Sequence, residues 1–505
     1  MTGRLFAAVL LLSAMLACRG TPAPALPAPP PGTTPSAASL TSLDRLRQQV
    51  ANVLADPALG AGAWGVEARS LSTKDTLLSV NPRLLLMPAS TAKTFTLAAT
   101  AATLGWDYRF ETRVIPVGAI KDGVLDGDLL IIGSGDPSVG DWDGSASATF
   151  ASWAARLKEL GITTIGGRIV GNDDVFADEG LGAGWMWDDM AYGYSAPASG
   201  LQFNEGTARI QVDPGSAAGD PAVLSLIPPH ARVPVVNRVI TGAAGSANRL
   251  ALGALPRTPG ATLTGTISLD SARQVREVSV GNPTLYFANA VRSALIANGI
   301  DVFGGAVDAD DLVDPPLPGP EHQVIRYQSP PLSALADTLM KLSQNMYAET
   351  FLRTLGVARR QTGTAEAGLG ALRDTLTDWG VPAADVQVAD GSGLSRYDLV
   401  TADATVSVLA HVYEDAALRG PFLASLPVAG KAGTLANRLK GTSAEGVVQA
   451  KTGSFTNARA VAGFTTTADG EPVVFSVIAN NYGVPTAPVD RATDAIILAL
   501  TTFKR

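Results

Sequence analysis

An α/β fold with one interrupted antiparallel sheet is predicted from three observations. Residues 62–80 alternate as a β-hairpin near the start of the chain, and residues 446–480 read as an antiparallel set near its end. Helical segments flank both sets. Between them, residues 108–320 carry short β-rich runs broken by turns such as Asp122-Gly123, Asp126-Gly127 and Gly133-Ser134-Gly135. The expected organisation is therefore an α/β domain in two parts, 38–107 and 321–505, separated by a β-rich insertion of two modules at 108–320.

Composition supports this and excludes other classes. The 505 residues are 46% hydrophobic and 17% charged, which provides for a sizeable core and excludes wholesale disorder. The 52 Gly and 33 Pro favour turns and short strands over a helical bundle. A net charge of −8 offers no basic footprint, so no nucleic-acid partner is expected. Cys18 stands alone, which excludes an intrachain disulfide and a cysteine-based zinc site. His230, His322 and His411 read as structural, and neither an HExxH pair nor a GxSxG elbow occurs. No metal or cofactor is expected. The acidic runs at 172–174 and 308–311 read as solvated turns rather than calcium sites.

The elements follow in order. Arg4 and the apolar run 5–16 form a secretion signal over 1–18, too short to span a bilayer. Cys18 follows Met15-Leu16-Ala17, which is similar to a lipoprotein cleavage box; a lipidated Cys18 would anchor the chain to a membrane, and cleavage near Ala17 without lipidation is the alternative. Pro-rich 19–37 is an extended tether. A helix is expected over 42–55, then the hairpin, then a helix over 91–104 that leaves Ser90 at a loop-to-helix junction. In the insertion, strands are expected at 110–117, 124–132, 165–170, 209–212, 222–227, 233–241 and 261–269, with a helix at 285–298 and an acidic, Pro-rich linker at 308–321. One long amphipathic helix is expected over 333–355, containing Ser343-Gln344-Asn345, with further helices at 365–379 and 401–413. Strands at 447–453, 460–467 and 472–479 and a helix at 490–503 complete the chain.

With no histidine in a plausible place, a serine nucleophile needs another base. Ser90 and Lys93, three apart in one helical turn, share a face. Burial beside positive neighbours would favour a neutral Lys93 amine able to take the Ser90 proton. Only Lys93 among nine lysines has Ser at −3. Ser343-Gln344-Asn345 selects little by itself, because S-x-N recurs at 79–81 and 246–248. Lys451-Thr452-Gly453 occurs once, on an edge-like strand, and Ala450 excludes a Walker A reading. In combination the three match the ordered S-x-x-K, S-D-N and K-T-G signature of penicillin-recognising serine enzymes, with Gln344 in place of Asp.

Together with Pro88–Lys93, Gly133–Pro137, Tyr347-Ala348-Glu349, Asp390–Arg396 and Gly433-Thr434-Leu435, the chain resembles the D-alanyl-D-alanine carboxypeptidase/endopeptidases of the low-molecular-mass class C penicillin-binding proteins. The resemblance covers most of the mature chain. It implies a β-lactamase/transpeptidase-like antiparallel sheet with helices on both faces, and a periplasmic or envelope-anchored enzyme, an outer-membrane lipoprotein if Cys18 is lipidated. The implied partners are peptidoglycan stem peptides and β-lactams. Ser90 would be the nucleophile, Lys93 the general base, Ser343 and Lys451 proton-passing groups, and Asn345 a peptide-binding amide. Lys451 with Thr452 would hold a carboxylate, Gly453 would let substrate lie along the strand, and the Ser90 and Ser454 N–H groups would form an oxyanion hole. Asp189, Tyr194 and Arg396 would grip the diaminopimelate side chain. A serine β-lactamase and a non-catalytic envelope penicillin-binding or sensor module are the competing readings.

Overall fold

Both ends of the chain build one sheet. In the computed structural model, which describes residues 40–177, 179–255, 260–320 and 322–505, Ala63–Ser70 is flanked by Thr76–Val80 on one side and Pro472–Asn480 on the other. Ala458–Thr466 follows Pro472–Asn480, and Gln449–Phe455 forms the edge, all pairs antiparallel. Cys18, the leader at 1–18 and the tether at 19–37 lie outside the described residues.

The sheet is covered on both faces, which explains its near-continuous apolar strands. Successive side chains point to opposite sides. Val461, Val473, Phe475 and Val477 pack with Leu46 and Val50 of helix Ser42–Leu54 and with Ile496 and Leu500 of helix Thr486–Thr502. Ala460, Ala462, Val474 and Ile478 instead face Phe95 of helix Lys93–Leu104, Leu339, Phe351 and Leu409. Ser42–Arg505 form one compact unit.

The β-rich region comprises a seven-stranded sheet, built around the hairpin Glu111–Lys121 and Val124–Gly133, and two three-stranded sheets. One hydrophobic cluster joins them, including Val114, Ile210 and Leu263. Ile325–Gln328 pairs with Glu111–Lys121, so this sheet continues past the expected boundary at 320. Helices Ser145–Glu159 and Ala416–Ser425 and strands Arg249–Ala254 and Gln274–Ser279 had no clear sequence signal. Pro421 inside the second helix and Gly253 inside the first strand oppose local propensity, and tertiary packing overrides it.

One expectation is corrected. The long helix over 333–355 is two helices, Leu332–Lys341 and Asn345–Arg360. Between them Ser343 adopts a left-handed backbone with φ 62°, a conformation that is uncommon without glycine. Gln344 caps the second helix, its side-chain oxygen accepting from the Met346 N–H at 3.1 Å. Both helices bury residues in the same core, so the apolar pattern runs on through the break.

Candidate active site

Ser90 lies in a single 3-10 turn, Ala89–Ala92, that leads directly into helix Lys93–Leu104. The helix is buried along its first turns, and it carries Lys93 inward with it. Lys93 Nζ lies 3.1 Å from Ser90 Oγ and 2.6 Å from both Asn345 Oδ1 and the Ser392 carbonyl. Burial lowers the Lys93 pKa to about 8, against the raising effect of Asp390, Glu349 and Asp398. The charges around this amine are mixed: the three carboxyl groups support its ammonium form, while Lys451 is the positive neighbour.

Lys451, on the edge strand, is also fully buried. Its Nζ donates to Ser343 Oγ at 2.8 Å and to the Thr452 carbonyl at 2.9 Å. Burial, reinforced by the Lys93 ammonium, holds its pKa well below the usual lysine range. Each amine therefore sits on its own serine. The break after Lys341 makes this possible, since a continuous helix would point Ser343 and Asn345, two residues apart, to nearly opposite sides, whereas here both line one cleft.

A cleft of about 660 Å³ joins these groups, with Ser90, Ser343, Asn345, Thr452 and Ser454 in its lining. Asp189, Tyr194 and Arg396 line the same cleft. Tyr194 donates to Asp189 Oδ1 at 2.6 Å and stacks on Tyr192 at 5.2 Å between centroids. The Tyr194 carbonyl accepts from Asn345 Nδ2 at 2.8 Å, fastening this loop to the helix that carries Asn345. Arg396 lies 4.2 Å over the Phe455 ring and donates to the Thr456 carbonyl at 3.3 Å. No histidine of the described residues lines the cleft; His411 stacks on Trp379 and His230 packs beside Phe203 and Tyr286.

Gly453 also meets a constraint within the fold. A Cβ there would lie 2.5 Å from the Pro88 carbonyl oxygen and 3.1 Å from the Ser90 nitrogen. Its absence lets the edge strand close directly onto the turn that carries Ser90.

Several residues behind the site carried no role in the sequence reading. Glu349 Oε1 accepts from the Gly391 and Ser392 N–H groups at 2.9 Å, and its other oxygen accepts from fully buried Arg353 at 3.2 Å. Asp390 accepts from Trp185 Nε1 at 2.7 Å, Gly393 N at 2.6 Å and Ser395 N at 2.7 Å. These two carboxyl groups fix the 390–395 loop, whose Ser392 carbonyl receives Lys93. Burial and the Asp390 charge raise Glu349 to about 6 and push Asp398 well up. Thr434 accepts from the Thr452 hydroxyl at 2.6 Å. Glu349, Asp390 and Thr434 all fall within the short runs that carried the family resemblance, which was the available signal.

The two acidic turns meet in the fold. Asp173, Asp308 and Asp310 bring carboxylate oxygens within 4.8 Å of one another, and Asp308 is buried. Ser199 and Thr284 donate to Asp173, and Asn282 donates to Asp308.

Comparison with known proteins bears on this arrangement. The pattern of the D-Ala-D-Ala carboxypeptidase 3 (S13) family matches residues 46–502. The D-alanyl-D-alanine carboxypeptidase of Actinomadura sp. (strain R39) is 34% identical over 498 residues, 95% of this chain and 89% of that protein. The crystal structure of penicillin binding protein 4 (dacB) from Haemophilus influenzae superposes with a TM-score of 0.78 at 26% identity, over 92% of this chain and 100% of that one. The same protein complexed with a β-lactam superposes with a TM-score of 0.73 at 24% identity, again over 92% and 100%. The chain belongs to the D-Ala-D-Ala carboxypeptidase 3 (S13) family, as a serine-type carboxypeptidase.

Proposed function

We propose that Ser90 is the nucleophile, acting on the terminal D-Ala-D-Ala amide of peptidoglycan stem peptides with Lys93 as general base. The observation that carries this reading is the 3.1 Å contact between Lys93 Nζ and Ser90 Oγ under an amine whose pKa burial has lowered to about 8. Once neutral, Lys93 takes the Ser90 proton as the hydroxyl oxygen bonds to the acyl carbon. Ser343, held by Lys451, delivers a proton to the amine as the C–N bond breaks. Water then hydrolyses the ester and restores the Ser90 hydroxyl. Asn345 orients the peptide, Thr452 with Thr434 receives the terminal carboxylate, and the Ser90 and Ser454 N–H groups receive the oxyanion. Such a donor is worth about 2.7–4 kcal/mol.

Asp189 and Arg396 supply one carboxylate and one guanidinium in the same cleft, which suits a zwitterionic side chain such as that of diaminopimelate. Tyr194, bonded to Asp189, orients that carboxylate. A β-lactam would acylate Ser90 as a stem-peptide mimic. No cofactor takes part in this scheme, and no nucleic-acid partner is assigned. We further assign residues 1–18 as a secretion signal and 19–37 as a tether, placing the enzyme in the cell envelope, with Cys18 as the lipidation candidate. Among the described residues, no helix is long and apolar enough to cross a membrane.

The test is release of D-Ala from a synthetic pentapeptide, with mass spectrometry of the penicillin-treated protein. The expected result is a penicilloyl adduct on Ser90 and loss of both activities in Ser90→Ala. An adduct elsewhere, or D-Ala release that survives Ser90→Ala, overturns the assignment. Rapid breakdown of the adduct would instead favour a β-lactamase.

A further inference from the structure

Asp398 is fully buried just past the 390–395 loop, immediately before strand Leu399–Val400. One of its oxygens, Oδ1, accepts from the Ala389 N–H at 2.7 Å. The other, Oδ2, is closed off from solvent and receives no hydrogen bond from any described residue. Within hydrogen-bond reach of this side chain lies another acid, Asp390. Asp390 is buried as well, and it already accepts from Trp185 Nε1, Gly393 N, Ser395 N and the Ser392 hydroxyl.

Two carboxyl groups in contact away from water do not both ionise. One proton must lie between them. Four donors converge on Asp390 and favour the negative charge there, so the proton belongs to Asp398. We propose that Asp398 is a positioning residue held as the neutral acid, its hydroxyl donating to Asp390 and closing the loop that presents the Ser392 carbonyl to Lys93. The role rests on the reading of Lys93 as general base. One side chain thus ties both ends of the loop, its carbonyl oxygen receiving Ala389 while its hydroxyl reaches Asp390.

The surroundings agree. Burial is the main force against a charge on Asp398, followed by the Asp390 carboxylate and then by Glu349, which is paired with Arg353. Lys93 is the amine that feels the result. Asp398 supports the Lys93 ammonium only when ionised, so its proton leaves that amine easier to deprotonate. The loop is held without a further negative charge beneath the base.

Asp398→Asn and Asp398→Ala test this. An amide reproduces both bonds, its oxygen accepting from Ala389 and its nitrogen donating to Asp390, and it has no proton to lose. Penicillin acylation of Asp398→Asn should stay within about twofold of wild type, with the same pH midpoint. Asp398→Ala should be about tenfold slower or more, because the Ser392 carbonyl and Lys93 lose their fixed place. Stability supplies a second readout. Folded Asp398 keeps a proton that the unfolded chain releases above about pH 3.9, so wild type loses stability relative to Asp398→Asn as pH rises. In urea denaturation between about pH 5 and pH 7, the ratio of their unfolding constants should grow about tenfold per pH unit. A ratio that stays constant means an ionised Asp398 and overturns the proposal, as does an Asp398→Asn protein as slow as Asp398→Ala. Acylation of Asp398→Ala at the wild-type rate overturns the positioning role. Should Asp398→Ala not fold, the two Asp398→Asn readouts decide. A wild-type protein that penicillin does not acylate removes the Ser90 reading, while the pH-dependent ratio still reports the Asp398 proton.

Discussion

Gln344 and Glu205 join the catalytic helices to the β-rich insertion: the Gln344 amide donates to a Glu205 carboxylate oxygen while its own oxygen caps the following helix. The aspartate of the S-D-N signature could cap that helix as well, but would set a second carboxylate against Glu205. Glutamine meets both demands with one side chain. Burial already raises the Glu205 pKa, so a like charge there would be costly.

Gln344→Ala is therefore expected to remove the cap and leave Glu205 without its donor, costing about 1–2 kcal/mol. Urea denaturation measures it, and an unchanged midpoint would contradict the role given to this side chain.

Penicillin acylation should rise with pH through about 8, where Lys93 loses its proton, and level above that. An unshifted lysine would not level until about 10.4. Stopped-flow acylation rates against pH distinguish the two.

Asp390→Asn removes a negative neighbour that supports the Lys93 ammonium, so the midpoint of that rise should move to lower pH. The amide has one accepting oxygen, so it cannot serve Gly393 N on one side and Trp185 Nε1 with Ser395 N on the other, as the two carboxylate oxygens do. Each stranded donor costs about 1–3 kcal/mol. A lower melting temperature together with the shifted pH profile is the expected pair of results; a purely structural role would lower stability without moving the profile.

Gly453→Ala should slow acylation about tenfold or more, because the new methyl group meets the Pro88 carbonyl at 2.5 Å and displaces the edge strand from Ser90. Acylation kinetics with circular dichroism as the folding control would show whether the loss is local.

Arg353→Met leaves the Glu349 carboxylate fully buried without its counter-charge, a change that typically costs about 3–5 kcal/mol. Chemical denaturation would register it as a large fall in midpoint.

The sheet was legible because its strands are apolar runs bounded by polar turns such as 72–75 and 468–470. Ser90, Lys93 and Lys451 were legible because their motifs keep fixed local spacing on a helix start and a strand. The break at Ser343 was hidden, since Leu339 and Met346 point to the same core and periodicity records only which side is buried. Asp390 and Glu349 were quoted only as part of a resemblance; their task is to hold backbone amides far away in sequence, and no local spacing encodes that. The packing constraint on Gly453 was hidden for the same reason, as Pro88 approaches it from the other end of the chain.

The pairing of Ala63–Ser70 with Pro472–Asn480 has a consequence for how the molecule comes into being. A growing polypeptide holds the nucleophile and its base early, yet the partner strands that complete the cavity are synthesised near the end. Such distant pairing pays its loop-closure entropy late and slowly. The hydrolase is therefore inert until Pro472–Asn480 has been made, and it becomes competent only when that strand zips onto Ala63–Ser70.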